Sequence, residues 1–138
     1  MLGLLRKVAL VLAIALGAGS AAQESRSAAI EETIQSQLEA FLADDVASAF
    51  EFASPTIRQL FRTPENFGMM VQRGYPMVWR PADVEFLGLQ ERSGRLVQQV
   101  RIRDGAGREH FLEYYMQEGA GRWLINGVTI LEAPDVGV

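Results

Sequence analysis

The hydrophobic pattern of this 138-residue chain changes its period near residue 80, and this change restricts the possible folds most. Between residues 30 and 73 apolar side chains recur every three to four residues, which is the spacing of one face of an α-helix. From Val84 onward apolar and polar residues alternate, and glycine-bearing turns interrupt the alternation at residues 93–94, 105–107 and 119–121. A helical half therefore precedes a set of antiparallel strands.

The helical half divides into a long helix and shorter ones. Apolar residues from Ile30 to Leu42 predict an amphipathic helix, which Asp44 and Asp45 interrupt before the period resumes. Ser54-Pro55 and Thr63-Pro64 each place a capping hydroxyl before a proline suited to the first helical position. Two short helices are expected over residues 55–62 and 64–73, and the helical half ends near Gly74.

The second half predicts a four-stranded meander. Its strands are expected over residues 83–92, 95–104, 108–118 and 122–131, with a β-bulge at Asn126-Gly127 in the last strand. The fold class is therefore α+β, with N-terminal helices packed on a curved antiparallel sheet.

The N-terminus has the layout of a secretory signal peptide. Arg6 and Lys7 precede an apolar run from Val8 to Gly19, and small residues follow up to Ala22. A membrane anchor is the alternative, but this run is shorter than the roughly 20 residues that span a bilayer. We expect cleavage before Gln23 or one residue earlier, export to the periplasm or beyond, and no stable membrane insertion afterwards.

The predicted signal peptide sets the division of the chain. It occupies residues 1–22 and is followed by a disordered lead over residues 23–29. A single domain is expected over residues 30–132, with a C-terminal tail over residues 133–138.

Composition removes several classes of chemistry. The chain has no cysteine, one histidine and a formal net charge of −4. Disulfides, thiolate metal sites, cysteine nucleophiles and multi-histidine metal sites are therefore excluded. The negative charge argues against a nucleic-acid partner. We predict neither a metal nor a cofactor.

The register of the sheet follows from its turns. Asp104 is expected opposite Arg108 in the second hairpin, and Glu118 opposite Arg122 in the third. Counting back from these pairs decides which side chains share a face.

This register places a polar row on the face that the helices cover. Gln98, Tyr114 and Asn126 fall side by side on three strands, and His110 lies on the same face nearer the sheet end. Buried polar groups need partners, so the row forms either an internal network or the floor of a small ligand-binding cavity. His110 is the candidate proton shuttle and Tyr114 the candidate hydrogen-bond donor if the cavity is catalytic.

The opposite face of the sheet carries a predicted apolar patch. The same register assigns to it Val97, Tyr115, Trp123 and Ile125. Exposed apolar patches of this kind mark partner surfaces, and a second copy of the chain or an envelope protein is the expected partner.

Two arginines in the helical half are one helical turn apart. Arg58 and Arg62 could together bind a carboxylate or a phosphate. The alternative is a solvated or internally paired helix face.

The chain resembles a known superfamily at several separate segments. These are Asp45–Phe50, Ala53–Pro55, Pro64–Phe67, Tyr75 and Trp123–Gly127. In them the sequence is similar to the nuclear transport factor two-like, cone-shaped α+β superfamily. More narrowly, it resembles domain-of-unknown-function family 4864 of exported proteobacterial proteins. The resemblance implies a helix-covered, cystatin-like curved sheet.

The resemblance leaves the activity open, because the superfamily includes isomerases, dehydratases, epoxide hydrolases and non-catalytic binding or assembly modules. Its isomerase-like members use a carboxylate base beside a tyrosine donor, and the predicted register places no carboxylate beside Tyr114.

Three functions are compatible with these sequence features. The first is a non-catalytic exported module that binds a small ligand or assembles with a partner. The second is a cofactor-independent isomerase, lyase or hydrolase, with His110 or a glutamate as the base and Tyr114 polarising the substrate. The third is a subunit of an envelope complex.

Overall fold

The computed structural model describes the backbone of residues 2–132 and the side chains of residues 19–132. Five helices come first: α1 (Leu2–Leu42), α2 (Val46–Glu51), α3 (Pro55–Phe61), α4 (Pro64–Gly74) and α5 (Pro76–Trp79). Four strands follow: β1 (Pro81–Arg92), β2 (Arg95–Asp104), β3 (Glu109–Gly119) and β4 (Arg122–Leu131). The fold is α+β, as predicted. The predicted tail over residues 133–138 lies outside the described residues.

Helix α1 supplies the longest buried stripe of the helical half. Ile30, Ile34, Leu38 and Phe41 are all at most 1% exposed, so the predicted apolar face is confirmed. Residues 23–29, for which the sequence predicts a disordered lead, are helical and continue α1. No helix among the described residues is both long and apolar enough to span a membrane.

Side-chain caps begin the short helices, as the sequence predicts. Asp45, Ser54 and Thr63 precede α2, α3 and α4, and each side chain accepts a hydrogen bond from a backbone N–H three residues on. These N–H groups belong to Ser48, Ile57 and Asn66, respectively. The Ser48 hydroxyl donates to Asp45 Oδ2 at 2.6 Å, and this bond, together with the one from Ser48 N, lowers the pKa of the Asp45 carboxyl because both stabilise its charged form.

One short helix was not predicted. Tyr75 and Arg80 each precede a proline and lie outside the helical region, with φ of −135° and −137°. Between them the chain makes the single turn α5, which buries Met77 and Val78. The helical half therefore ends at Trp79 and not near Gly74.

The sheet is a meander in the order β1-β2-β3-β4, with every neighbouring pair antiparallel. The predicted register of the second hairpin is confirmed. Asp104 N donates to Arg108 O at 2.9 Å, and Gln98 lies opposite Tyr114. The core lies between the helices and the face that carries Val100, Ile102 and Leu112.

The predicted register of the third hairpin is wrong by one residue. Arg122 pairs with Gly119 and not with Glu118. The turn has only two residues, Ala120 and Gly121, whose φ values of 53° and 75° are both positive, as a type I′ turn requires. Gly119, which the predicted register counts as a third turn residue, belongs to β3.

The predicted bulge in β4 is confirmed. Tyr115 pairs with Gly127 but Met116 pairs with Ile125, so Asn126 is the extra residue. Together the short turn and the bulge shift which β4 side chains face the helices.

Candidate ligand-binding pocket

A cavity of about 260 Å³ lies between the helices and strand β4. Its wall is almost entirely apolar. At its mouth Leu60 is 68% exposed, which is unusual for a large apolar side chain. The other residues that form the wall are Gln37, Phe41, Ala53, Ile57, Phe61, Phe67, Met70, Val71, Tyr75, Val78, Ile125, Gly127 and Val128.

Hydrogen bonds join the α2–α3 junction to β4, and they position the wall of the pocket that α3 forms. Ser54 N donates to Ile125 O at 2.9 Å, and Ile125 N donates to Phe52 O at 2.8 Å. Ser54 Oγ donates to Asn126 Oδ1 at 2.7 Å while accepting from Ile57 N. Helix α3 therefore begins on the sheet at the bulge.

Two polar residues of the wall hold the backbone together. Tyr75 Oη donates to Val128 O at 3.1 Å, which joins the end of α4 to β4. Gln37 is 3% exposed, and its Nε2 donates to Ala49 O at 3.1 Å, which joins α1 to α2. Both side chains therefore contribute to the shape of the pocket as well as to its wall.

Gln98 and Tyr114 lie in the core without lining the pocket. They are 1% and 0% exposed. Gln98 Nε2 donates to Gly88 O and Gln99 O. These two bonds fix the orientation of the amide and do not involve Oε1. Gln98 Oε1 and Tyr114 Oη have no hydrogen-bond partner among the described residues. Each unpaired group costs about 1–3 kcal/mol.

Burial raises the pKa of the Tyr114 hydroxyl, because the core disfavours the phenolate, and nearby Tyr75 adds to the effect. Tyr114 is therefore a neutral hydrogen-bond donor. The structure provides a buried donor and a buried acceptor on neighbouring strands but no self-satisfied network of the predicted kind.

Asn126 does not complete the predicted row. Tyr114 lies opposite Val128, and Asn126 occupies the bulge, where Ser54 is its partner. The predicted side-by-side arrangement of Gln98, Tyr114 and Asn126 is therefore wrong for Asn126, because the register of β4 differs from the predicted one.

His110 lies at the second hairpin and not at the pocket. Its Nε2 is 2.8 Å from Asp104 Oδ2, and Asp104 Oδ1 accepts from the N–H groups of Ala106 and Arg108. The bond to His110 is the main cause that lowers the pKa of the Asp104 carboxyl. His110 therefore supports a turn, and the structure does not bring it to the pocket wall.

The predicted apolar patch on the outer sheet face is only partly correct. Val97 and Tyr115 are cross-strand partners on that face. Ile125 is 4% exposed and belongs to the core beneath the helices, and Trp123 packs against the same core. The shifted register of β4 moves both residues to the helix side and places Leu124 opposite Gln117 instead.

The wall that α3 contributes was not predicted. Ile57, Leu60 and Phe61 have the i, i+3, i+4 spacing of an apolar helix face. That spacing in a helix of seven residues was the available signal. No group of three or more potential metal ligands occurs among the described residues.

The fold and the pocket define an α+β protein in which helices and an open four-stranded antiparallel sheet enclose an apolar cavity. Comparison with known families then identifies the family. The chain belongs to the family described as "Domain of unknown function (DUF4864)", which matches residues 23–138. Comparisons with curated proteins and with solved structures found no match.

Two tyrosine substitutions test the hydrogen bonding of the core. Tyr114→Phe removes an unpaired hydroxyl, so we expect the free energy of unfolding to stay the same or to rise by up to about 1 kcal/mol. Tyr75→Phe removes the hydrogen bond to Val128 O and is expected to lower the free energy of unfolding by about 1 kcal/mol. Urea unfolding followed by circular dichroism measures both. A loss of about 2 kcal/mol or more for Tyr114→Phe would show that its hydroxyl has a buried partner.

Proposed function

We propose that the chain is an exported, non-catalytic binding module of the nuclear transport factor two-like class, with a small apolar ligand in the pocket. The observation that carries this proposal is the apolar wall around a 260 Å³ cavity. Ligand sites are concave and mostly apolar, with few polar groups, and this cavity has that character. At roughly 30 Å³ per water-sized group, it holds on the order of nine non-hydrogen atoms.

The wall offers little for catalysis. Among the described residues it contains no carboxylate and no histidine, and its titratable member, Tyr75, already donates to Val128 O. An isomerase, lyase or hydrolase needs a base within hydrogen-bond reach of its substrate. His110 is engaged at the second hairpin, so the enzyme alternative has less support than binding.

The assembly alternative also has less support. Of the four residues predicted to form an outer patch, Ile125 lies in the core and Trp123 packs against it. Only Val97 and Tyr115 would then remain on the outer face for contact with a second copy or an envelope protein. Val97 itself is fully buried. The binding proposal does not depend on such a partner.

Two observations support export. The family match begins at residue 23, so the predicted signal peptide lies outside the family domain. Among the side chains that the structure describes, those from Gln23 to Arg26 are exposed and the first buried one is Ile30. Removal of residues 1–22 would therefore leave the described core intact.

Processing of the N-terminus tests the export proposal. We expect protein released from the envelope of a Gram-negative bacterial host to have the mass of a chain whose first residue is Gln23 or Ala22. The small residues before these positions suit the signal peptidase. Intact-mass spectrometry of the envelope and cytoplasmic fractions measures this. Full-length chain confined to the cytoplasm would contradict export without bearing on the pocket.

A cavity-filling substitution tests ligand binding. 1-Octanol has nine non-hydrogen atoms, and we expect saturable binding to the wild-type protein by isothermal titration calorimetry. Ile57→Trp places an indole in the pocket wall and is expected to weaken octanol binding at least about tenfold, because the ligand loses its space. Ile57 is only partly buried, so the fold should tolerate the change.

The matched control is Leu87→Trp. Leu87 is 40% exposed and does not line the pocket. Octanol binding by this variant should equal that of the wild type. Absence of saturable binding to the wild type, or equal binding by a folded Ile57→Trp variant, would contradict the proposal.

A further inference from the structure

Charge is unevenly distributed along the helices that form much of the pocket wall. The segment from Pro55 to Trp79 contains Arg58, Arg62 and Arg73 against a single carboxylate, Glu65. This segment comprises α3, α4 and α5, which form much of the pocket wall. The chain as a whole has a net charge of −4, so the excess of arginine belongs to this segment and not to the protein in general.

These arginines differ from several others in their pairing. Arg80 is paired with Asp44 and Arg92 with Glu113. Arg101 and Arg103 are likewise paired with carboxylates on the sheet. In the part of the chain that the structure describes, no ion pair involves the three arginines of the pocket segment, which are exposed.

Two of the three flank the apolar face of α3. Arg58 follows Ile57 and Arg62 follows Phe61, and both of the preceding residues line the pocket. Arg58 lies within α3, whereas Arg62 follows the helix with φ of 71°, and Arg62 N donates to Arg58 O at 2.8 Å. Both arginines are exposed and directly follow wall residues, so a ligand that extends out of the pocket past α3 would come within reach of their long side chains.

We infer that the ligand is an anionic amphiphile, namely a medium-chain alkyl carboxylate. Its chain occupies the apolar pocket, and its carboxylate binds Arg58 and Arg62. This inference rests on the proposed binding function and adds the head group. Guanidinium groups bind carboxylates through paired, charge-assisted hydrogen bonds, which a hydroxyl head group cannot match. A chain of about eight carbons agrees with the size of the cavity.

Head-group comparison by isothermal titration calorimetry tests the inference with octanoate, 1-octanol and octylammonium. We expect octanoate to bind about tenfold more tightly than octanol, and octylammonium to bind most weakly. The advantage of octanoate should shrink as salt is added, because the rim is exposed to solvent. Equal affinities for octanoate and octanol would overturn the inference but leave the proposed function standing. Failure of both to bind would overturn both.

The double variant Arg58→Gln/Arg62→Gln assigns the effect to these side chains. It should reduce octanoate affinity to that of octanol, about tenfold, while octanol affinity stays unchanged. Arg108→Gln, an exposed arginine in the turn before β3, is the matched control and should leave both affinities unchanged. Full octanoate affinity in the double variant would contradict the assigned role of the two arginines.

Discussion

The attachment of the α2–α3 junction to the bulge in β4 is the interaction on which the pocket depends. Ser54 is fully buried, donates to Asn126 Oδ1 and accepts from Ile57 N, so one hydroxyl joins the sheet to the first turn of α3. A parallel bridge between Ala53 and Ile125 reinforces the joint. Helix α3 buries none of its own residues fully. Its other end is held by Phe61, which packs edge-on against Phe67 of α4 with ring centroids 5.9 Å apart. The space between these two attachments remains open.

The opposite wall of the pocket is built differently. Phe41, Phe67 and Trp79 from three helices pack with ring centroids 5.6–5.9 Å apart, and Phe50 adds a contact to Phe67 at 5.4 Å. Tilted aromatic pairs of this kind stabilise a core beyond their buried area. Gly68 of α4 also packs closely on α2, since an added Cβ there would lie 2.7 Å from a methyl group of Val46. The pocket thus has one densely packed wall, while α3, which buries none of its residues fully, forms a more loosely packed one. Loosely packed elements open at the lowest free-energy cost. We therefore expect ligand entry beside α3.

Much of the fold followed from local sequence signals. Capping hydroxyls before prolines predicted α3 and α4 to within a residue, and glycine turns predicted all four strands to within about two. The predicted register of the third hairpin was wrong because Ala120, a residue other than glycine, adopts φ of 53°, which allows a turn of only two residues. A one-residue slip reverses the faces of the side chains between the turn and the bulge, so Trp123 and Ile125 lie on the core side and not on the predicted outer face. A cavity on the helix-covered face was one of the predicted alternatives, but the position and lining of the observed pocket could not be predicted, because they depend on a bond between Ser54 and Asn126, which are 72 positions apart.

Methyl-resolved nuclear magnetic resonance on titration with octanoate tests binding in the pocket most directly, because it reports where the alkyl chain lies. We expect the methyl signals of Ile57, Val71 and Val128, which line the pocket, to shift together along one saturation curve. Signals of Val97 and Ile102, which are fully buried outside the pocket wall, should stay in place. Shifts at Val97 and Ile102 without shifts at the three pocket residues would contradict binding between the helices and β4.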